Sequence, residues 1–307
     1  MLLEGSETMS QLLSAMAELF LIASLGFWLG KRKLITEGTI GELSHFLMKY
    51  ILPLTILRSF LKPYDPEEAL NIATVSLVMA INMGLALFFL RLFLKKYPLE
   101  QYAMAFGNLG FLGIPLVSSL FGPDAVFYVA PLIAVNHLFL WGYGRGILIP
   151  NHHFHIREVF CNPSFVCFMI GLAFYLIPLP KPALLKDCLS RLTALNSPLA
   201  MIVLGAILSQ KSLLQLFQGG RVWMAVFGRL FLMPLFVCLL LYLLPFPRPE
   251  VKVILAVALS MPTATHLTLL ARSVGADAYR ATQLTVLSTL LCPLSLPLVY
   301  TLVRWIF

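Results

Sequence analysis

Gly107-Asn108-Leu109-Gly110-Phe111-Leu112-Gly113-Ile114-Pro115 lies inside an apolar segment long enough to cross a bilayer, yet it holds three glycines, an asparagine and a proline within nine positions. Leu, Ile and Val are usual in a spanning helix; Gly and Pro weaken or end one. The spacing predicts a helix broken at membrane depth. Such a break frees backbone N–H and C=O groups that lipid cannot satisfy, so it must face protein or a watery cavity. Discontinuous helices near the midplane form the substrate sites of many transporters. The competing reading is an ordinary kink, or close helix packing through Gly-x-x-Gly.

A second copy favours the break. Gly275-Ala276-Asp277-Ala278 echoes Gly122-Pro123-Asp124-Ala125 at an offset of 153 residues, half of the 307-residue chain. That offset lays Ser260-Met261-Pro262-Thr263-Ala264-Thr265-His266 over Gly107 to Gly113 without a gap. Pro53-Leu54 and Pro198-Leu199 form a further pair, each flanked by apolar runs. Paired interruptions in two halves of a chain point to a transporter's binding site.

Composition bounds the class. Hydrophobic residues make up 59% of the chain and charged residues 12%, against roughly 45 to 50% and about 25% in soluble domains. Apolar runs of about 20 residues without a period of two indicate spanning helices rather than a barrel. The expected fold is an all-α integral membrane protein. Ten spans are expected, near 9–30, 38–61, 69–94, 99–120, 124–149, 162–179, 189–210, 220–244, 250–272 and 277–306. The fourth and ninth are broken.

Loops after the odd-numbered spans carry twelve Lys and Arg, from Lys31 to Arg280, against seven on the other side. By the positive-inside rule both termini then face away from the cytoplasm. Five spans per half is odd, so two structural copies must be inverted: residues 1–157 and 158–307, within one membrane domain. This architecture suits rocking of one bundle against another around a central site. The formal charge of +8 is explained by topology, and the chain has no basic stripe with interleaved aromatics, so no nucleic-acid partner is expected. Glu4 and Glu7 before the first apolar run, and Lys31-Arg32-Lys33 after it, reverse the pattern of a cleavable signal peptide.

Asn108 is the leading candidate for substrate contact, because a carboxamide can hold an anion's oxygen or cap a freed backbone group. The glycine-opened backbone at Gly110 and Gly113 belongs to the same half-site, and Gly107, Pro115, Pro53 and Pro198 are the expected helix breakers. Pro262, Thr263, Thr265 and His266 supply the second half. N–H groups and the positive dipole end of a resumed helix favour a negative ligand, so the expected substrate is a small organic anion. His266 permits proton coupling; its alternative role is hydrogen bonding between helices. Glu18, about nine residues into the first span, is costly there by about 2.5 to 3.5 kcal/mol and is read as a coupling group. Alternatively it pairs with Arg229 or Lys49, or is protonated. Asn82, Asn136, His137, Asn196 and Gln283 are further interior polar residues, each readable as packing.

Other patterns carry less. Cys161, Cys167, Cys188, Cys238 and Cys292 are scattered without a C-x-x-C pair and read as small apolar fillers. His152-His153-Phe154-His155 lacks the partners of a zinc site. Gly142-Tyr143-Gly144-Arg145-Gly146 follows an apolar span rather than a strand, which removes the context of a phosphate loop. No nucleophile triad or carboxylate pair at one depth suggests an enzyme, and no metal or cofactor is expected beyond a coupling proton or sodium ion.

The run Asn108 to Leu116, with Met261-Pro262-Thr263-Ala264 through Leu270-Ala271, resembles the auxin efflux carrier family, whose bacterial members include malate or malonate transporters. The similarity extends over nearly the whole chain, including the Pro53 and Pro198 segments and the run from Leu287-Ser288-Thr289 to Pro297. It implies two inverted five-helix repeats, a crossover of broken fourth and ninth helices, homodimerisation through spans one, two, six and seven, and elevator-like carriage of mono- or dicarboxylates. Asn108 matches the family asparagine before Gly-Ile-Pro, and Pro262 the crossover proline. Gly107 stands where the plant carriers have proline, Thr263 to Leu267 depart from the plant pattern, and His266 falls where many bacterial relatives have asparagine. The alternatives are a sodium-coupled symporter, whose unwound carbonyls hold the ion, and a non-transporting membrane receptor for the same ligand class.

Overall fold

A computed structural model describes residues 2–149, 156–177, 182–210 and 217–307. The described chain is built from helices: α1 (Leu2–Lys31), α2 (Glu37–Ser59), α3 (Pro66–Leu94), α4 (Pro98–Ala105), α5 (Leu109–Phe121), α6 (Pro123–Leu148), α7 (Ile156–Phe160), α8 (Pro163–Leu176), α9 (Ala183–Ser209), α10 (Gly220–Leu243), α11 (Glu250–Leu259), α12 (His266–Ser273) and α13 (Ala278–Ile306). Among the described residues, seven of these, α1, α2, α3, α6, α9, α10 and α13, are long and apolar enough to cross a membrane. The sequence predicts ten spans, two of them broken; seven described helices meet the length and apolarity of a crossing. The fourth and ninth expected spans are each two short helices, α4 with α5 and α11 with α12. The sixth is represented by α8, whose 14 residues reach only about 21 Å at 1.5 Å per residue.

Local chemistry sets the helix starts. The Thr36, Asp65, Asn162 and Asp277 side chains accept hydrogen bonds from the first free N–H groups of α2, α3, α8 and α13, and Pro66 and Pro163 occupy first-turn positions where a missing N–H costs nothing. Inside the helices, prolines are accommodated rather than breaking. The wide π turns Leu47–Ile51, Leu109–Gly113 and Gly228–Leu232 each end two residues before a proline, Pro53, Pro115 and Pro234. A proline ring clashes with the carbonyl four residues back, and widening that turn relieves the clash. Pro53 and Pro115 therefore do not interrupt their helices. Pro198 sits just inside the helical stretch Asn196–Ser209, past a turn at Ala194 and Leu195.

The closest helix pair is α1 with α9. A Cβ added at Gly26 would overlap the backbone of Ile202, one at Gly205 the backbone of Ala23, and one at Gly30 the Ser209 side chain. Small residues thus let two backbones touch, the usual device where lipid supplies no hydrophobic drive for helix association. Large apolar side chains such as Leu77, Phe88, Leu92, Phe93, Leu239 and Leu298 remain exposed on the outside of the bundle, as expected of a surface solvated by lipid. Two of the five cysteines, Cys161 and Cys188, are exposed rather than buried fillers. Gly142 to Gly146 lies within α6, in and just after a π turn at Leu140–Gly144, and is not a loop. The His152-His153-His155 tract lies outside the described residues.

Candidate functional site

The two interrupted stretches meet. Phe106 to Asn108 and Met261 to Ala264 are non-helical, and they pair as a two-residue antiparallel bridge between Gly107 and Thr263. Asn108 N donates to Pro262 O at 2.8 Å, and Ala264 N donates to Phe106 O at 3.0 Å. Each break thereby satisfies part of the other's freed backbone, which lipid could not do. α5 restarts with the Asn108 carboxamide oxygen accepting from Phe111 N at 3.2 Å. Thr263 is tied on both sides: its N–H donates to Ser288 Oγ of α13 at 3.1 Å, and its hydroxyl donates to Ala103 O at 3.0 Å.

The remaining carbonyls are gathered by Arg229, a side chain only 4% exposed in the middle of α10. Its Nε donates to Met261 O at 2.8 Å, Nη1 to Met104 O at 3.0 Å and Ala105 O at 3.4 Å, and Nη2 to Leu259 O at 3.0 Å. One guanidinium thus caps the C-terminal ends of both α4 and α11. A Cβ at position 107 would overlap this group, which is why glycine stands there. No carboxylate pairs with Arg229 among the described residues. The partnership with Glu18 expected as one alternative is therefore not formed.

Against the bridge lies a cavity of about 30 Å³, lined by Gly107 to Phe111 and by Asn136, His137 and His266, among others. Asn108 Nδ2, Asn136 Oδ1, His137 Nδ1, Thr265 Oγ1 and His266 Nε2 are buried there or nearby without a hydrogen-bond partner. Buried polar atoms are rarely left unpaired without reason. A smaller cavity of about 10 Å³ touches Gly107, Asn82, Asn136 and Arg229 on the other side. Among the described residues neither is lined by Asp or Glu, and Arg229 is the charged side chain that touches the break. Each is too small for more than water. His266 and Met48 also line a larger cavity of about 330 Å³, with Tyr102, Leu140, Trp141, Arg145 and Ser273, which opens toward the C-terminal ends of α6 and α12. His266 meets the Tyr102 ring edge-on at 5.9 Å between centroids.

Of the residues singled out by sequence, Gly107, Asn108, Pro262 and Thr263 form the bridge, and Thr265 and His266 follow it at the start of α12. Gly110 lines the 30 Å³ cavity, and a Cβ added at Gly113 would meet Met261 Cγ at 3.4 Å, an ordinary contact; both sit in the resumed helix. Pro115 lies further along α5. Pro53 and Pro198 lie on α2 and α9 and line neither cavity at the bridge, although Leu52, next to Pro53, lines the larger of the two. Glu18 is on the exposed face of α1, with no ion pair to Arg229 or to exposed Lys49 among the described residues. Sequence reasoning gave Arg229 no role at the break; its signal was a lone arginine nine residues into the apolar run of α10. Ser288 stood in the run from Leu287 to Pro297 that carries the family resemblance, but nothing in the sequence tied it to the break.

No curated protein matches the chain. A family model described as membrane transport protein does, over residues 11–155 and 147–300. With spanning helices, paired breaks and that coverage in hand, the chain belongs to the membrane transport protein family, the one that includes the auxin efflux carriers.

Proposed function

We propose that the protein is a secondary transporter that carries a small organic anion, a mono- or dicarboxylate, across the cytoplasmic membrane. The observation that supports this most is the pairing of two helix breaks around a buried guanidinium, beside cavities lined by no Asp or Glu among the described residues and furnished with unpartnered polar atoms. A positive charge in low dielectric attracts an anion strongly and repels a cation. Asn108, Gly110 and Gly113 with the first turn of α5 form one half of the site, and Pro262, Thr263, Thr265 and His266 the other; the cavity between them has room only for water, so the walls must part to admit the anion. Asn136 and His137 close it from α6. The proton is the coupling ion we favour over sodium, because two imidazoles, His137 and His266, line one cavity. Glu18 has no place in this coupling.

Counting each interrupted pair and α8 as one crossing gives ten crossings, in inverted repeats of residues 1–157 and 158–307. Gly122 and Gly275, the paired glycines of the echo, both have positive φ, 82° and 69°. A two-fold axis through the bridge equates Gly107 with Thr263, a spacing of 156 against 153 for the echo. The second copy is then three residues shorter after the break, in line with α12 being shorter than α5. Lys and Arg asymmetry places both termini outside the cytoplasm, so the 330 Å³ cavity opens inward. The carrier works as a homodimer with elevator-like movement of the broken helices.

A thermal-shift screen of purified protein against small carboxylates tests this reading. Binding to the folded state raises stability by mass action. Stabilisation by one acid, lost in Asn108→Ala, is expected; stabilisation by cations alone would overturn it.

A further inference from the structure

At the opposite end of α6 from the 330 Å³ cavity lies another, of about 220 Å³, between the last turn of α2, the outer part of α5, the start of α6 and the middle of α9. Its polar wall includes Arg58, Ser118, Ser190, Thr193, Asn196 and Ser197. We propose that it is a second anion site, one that receives a carboxylate at the outer face.

Arg58 carries the argument. Its Nε donates to Ser190 Oγ at 2.9 Å, and Ser190 in turn donates to Lys186 O at 2.7 Å, which fixes the guanidinium plane. Its two terminal nitrogens make no hydrogen bond and meet no carboxylate among the described residues. A planar fork whose Nη1–Nη2 edge is free suits a carboxylate, which can accept from both nitrogens at once. Asn196 is 4% exposed, and its Nδ2 has no partner. A buried amide donor left unpaired in a polar cavity calls for an acceptor. The hydroxyls of Ser118 and Ser197 supply further donors. Among the described residues the lining contains no Asp or Glu, so its one formal charge is the cation of Arg58, which disfavours a second cation.

The place matters as much as the chemistry. Ile114 and Pro115 form part of the wall, one to two turns along α5 from Asn108. An anion held by Arg58 therefore sits beside the helix whose start forms the inner site. The carboxylate chemistry follows from the cavity itself; that its occupant is the transported anion rests on the function proposed above.

Isothermal titration of the purified full-length protein with malonate tests the site, with inorganic phosphate as competitor and with Arg58→Gln, Ser197→Asp and Asn108→Ala. Ser197→Asp leaves Arg58 in place but gives it a built-in carboxylate, so it blocks the site even if Arg58→Gln folds poorly. Two classes of malonate site are expected in the wild type. Each outer variant should weaken one of them by about tenfold or more, the scale of a lost charge-assisted hydrogen bond, and Asn108→Ala should remove the other. Unchanged malonate stoichiometry in folded Arg58→Gln and Ser197→Asp overturns the outer site while leaving the inner one standing. Loss of all binding in the outer variants with none in Asn108→Ala supports the outer site and overturns the inner. No malonate binding by the wild type, or phosphate displacing malonate from the Arg58 site on equal terms, overturns its assignment to carboxylates.

Discussion

Arg229 is the residue on which the break depends. Four carbonyls from two helix ends share its donors, and each buried acceptor left unpaired costs about 1 to 3 kcal/mol. Arg229→Met should lower the thermal midpoint strongly and abolish stabilisation by carboxylates; measuring both in one melt separates lost fold from lost charge. Gly107→Ala should act through the same group, since its Cβ would displace the guanidinium. Gly84→Ala is the matched control: nothing lies within 4 Å of that Cβ, and replacing glycine within a helix gains about 0.5 to 1 kcal/mol. A Gly107→Ala protein that melts and binds like Gly84→Ala would contradict this account of the break.

At the scale of elements, the break was legible because Gly107 and Asn108 interrupt an apolar run and Pro262 interrupts its counterpart. Its extent was not. The glycines at 110 and 113 and the proline at 115 read as unwound chain, but a π turn absorbs the proline and the helix resumes at Leu109. Sequence spacing cannot distinguish a widened turn from a lost one. The pairing of Gly107 with Thr263 depends on tertiary approach, as does the role of Arg229, and neither leaves a periodic trace. The α1–α9 contact could have been read from Gly26-x-x-x-Gly30. Gly205→Leu should force these helices apart and cost about 1 to 3 kcal/mol or more by overpacking, seen as a fall in thermal midpoint with α-helical content kept.

At the scale of the molecule, one end is tied by charge. Arg248, before α11, bonds Asp65 at 2.6 Å, Glu67 at 3.0 Å and Glu68 at 3.2 Å at the start of α3, while Lys62 holds Glu68 at 2.6 Å and the Tyr175 hydroxyl meets the Asp65 backbone at 3.0 Å. Partial burial pushes the Asp65 carboxyl up. The bonds from Arg248 and from the N–H groups of Glu67 and Glu68, with the Arg248 charge, outweigh it and hold that carboxyl below the usual range. A depressed carboxyl contributes stability above its unfolded value of about 3.9 and loses it as pH falls through the lower folded value. Arg248→Gln should therefore lower the thermal midpoint at neutral pH and do so much less at an acid pH below the depressed folded value. An equal effect at both would show that the network acts through packing instead.

Uptake of labelled malonate into liposomes containing only this protein tests the central claim most directly, with wild type and Asn108→Ala side by side. Saturable uptake, competed by unlabelled dicarboxylates and lost in folded Asn108→Ala, is the predicted result. Binding without flux would make the protein a receptor, and uptake undiminished in Asn108→Ala would contradict a substrate site at the paired breaks.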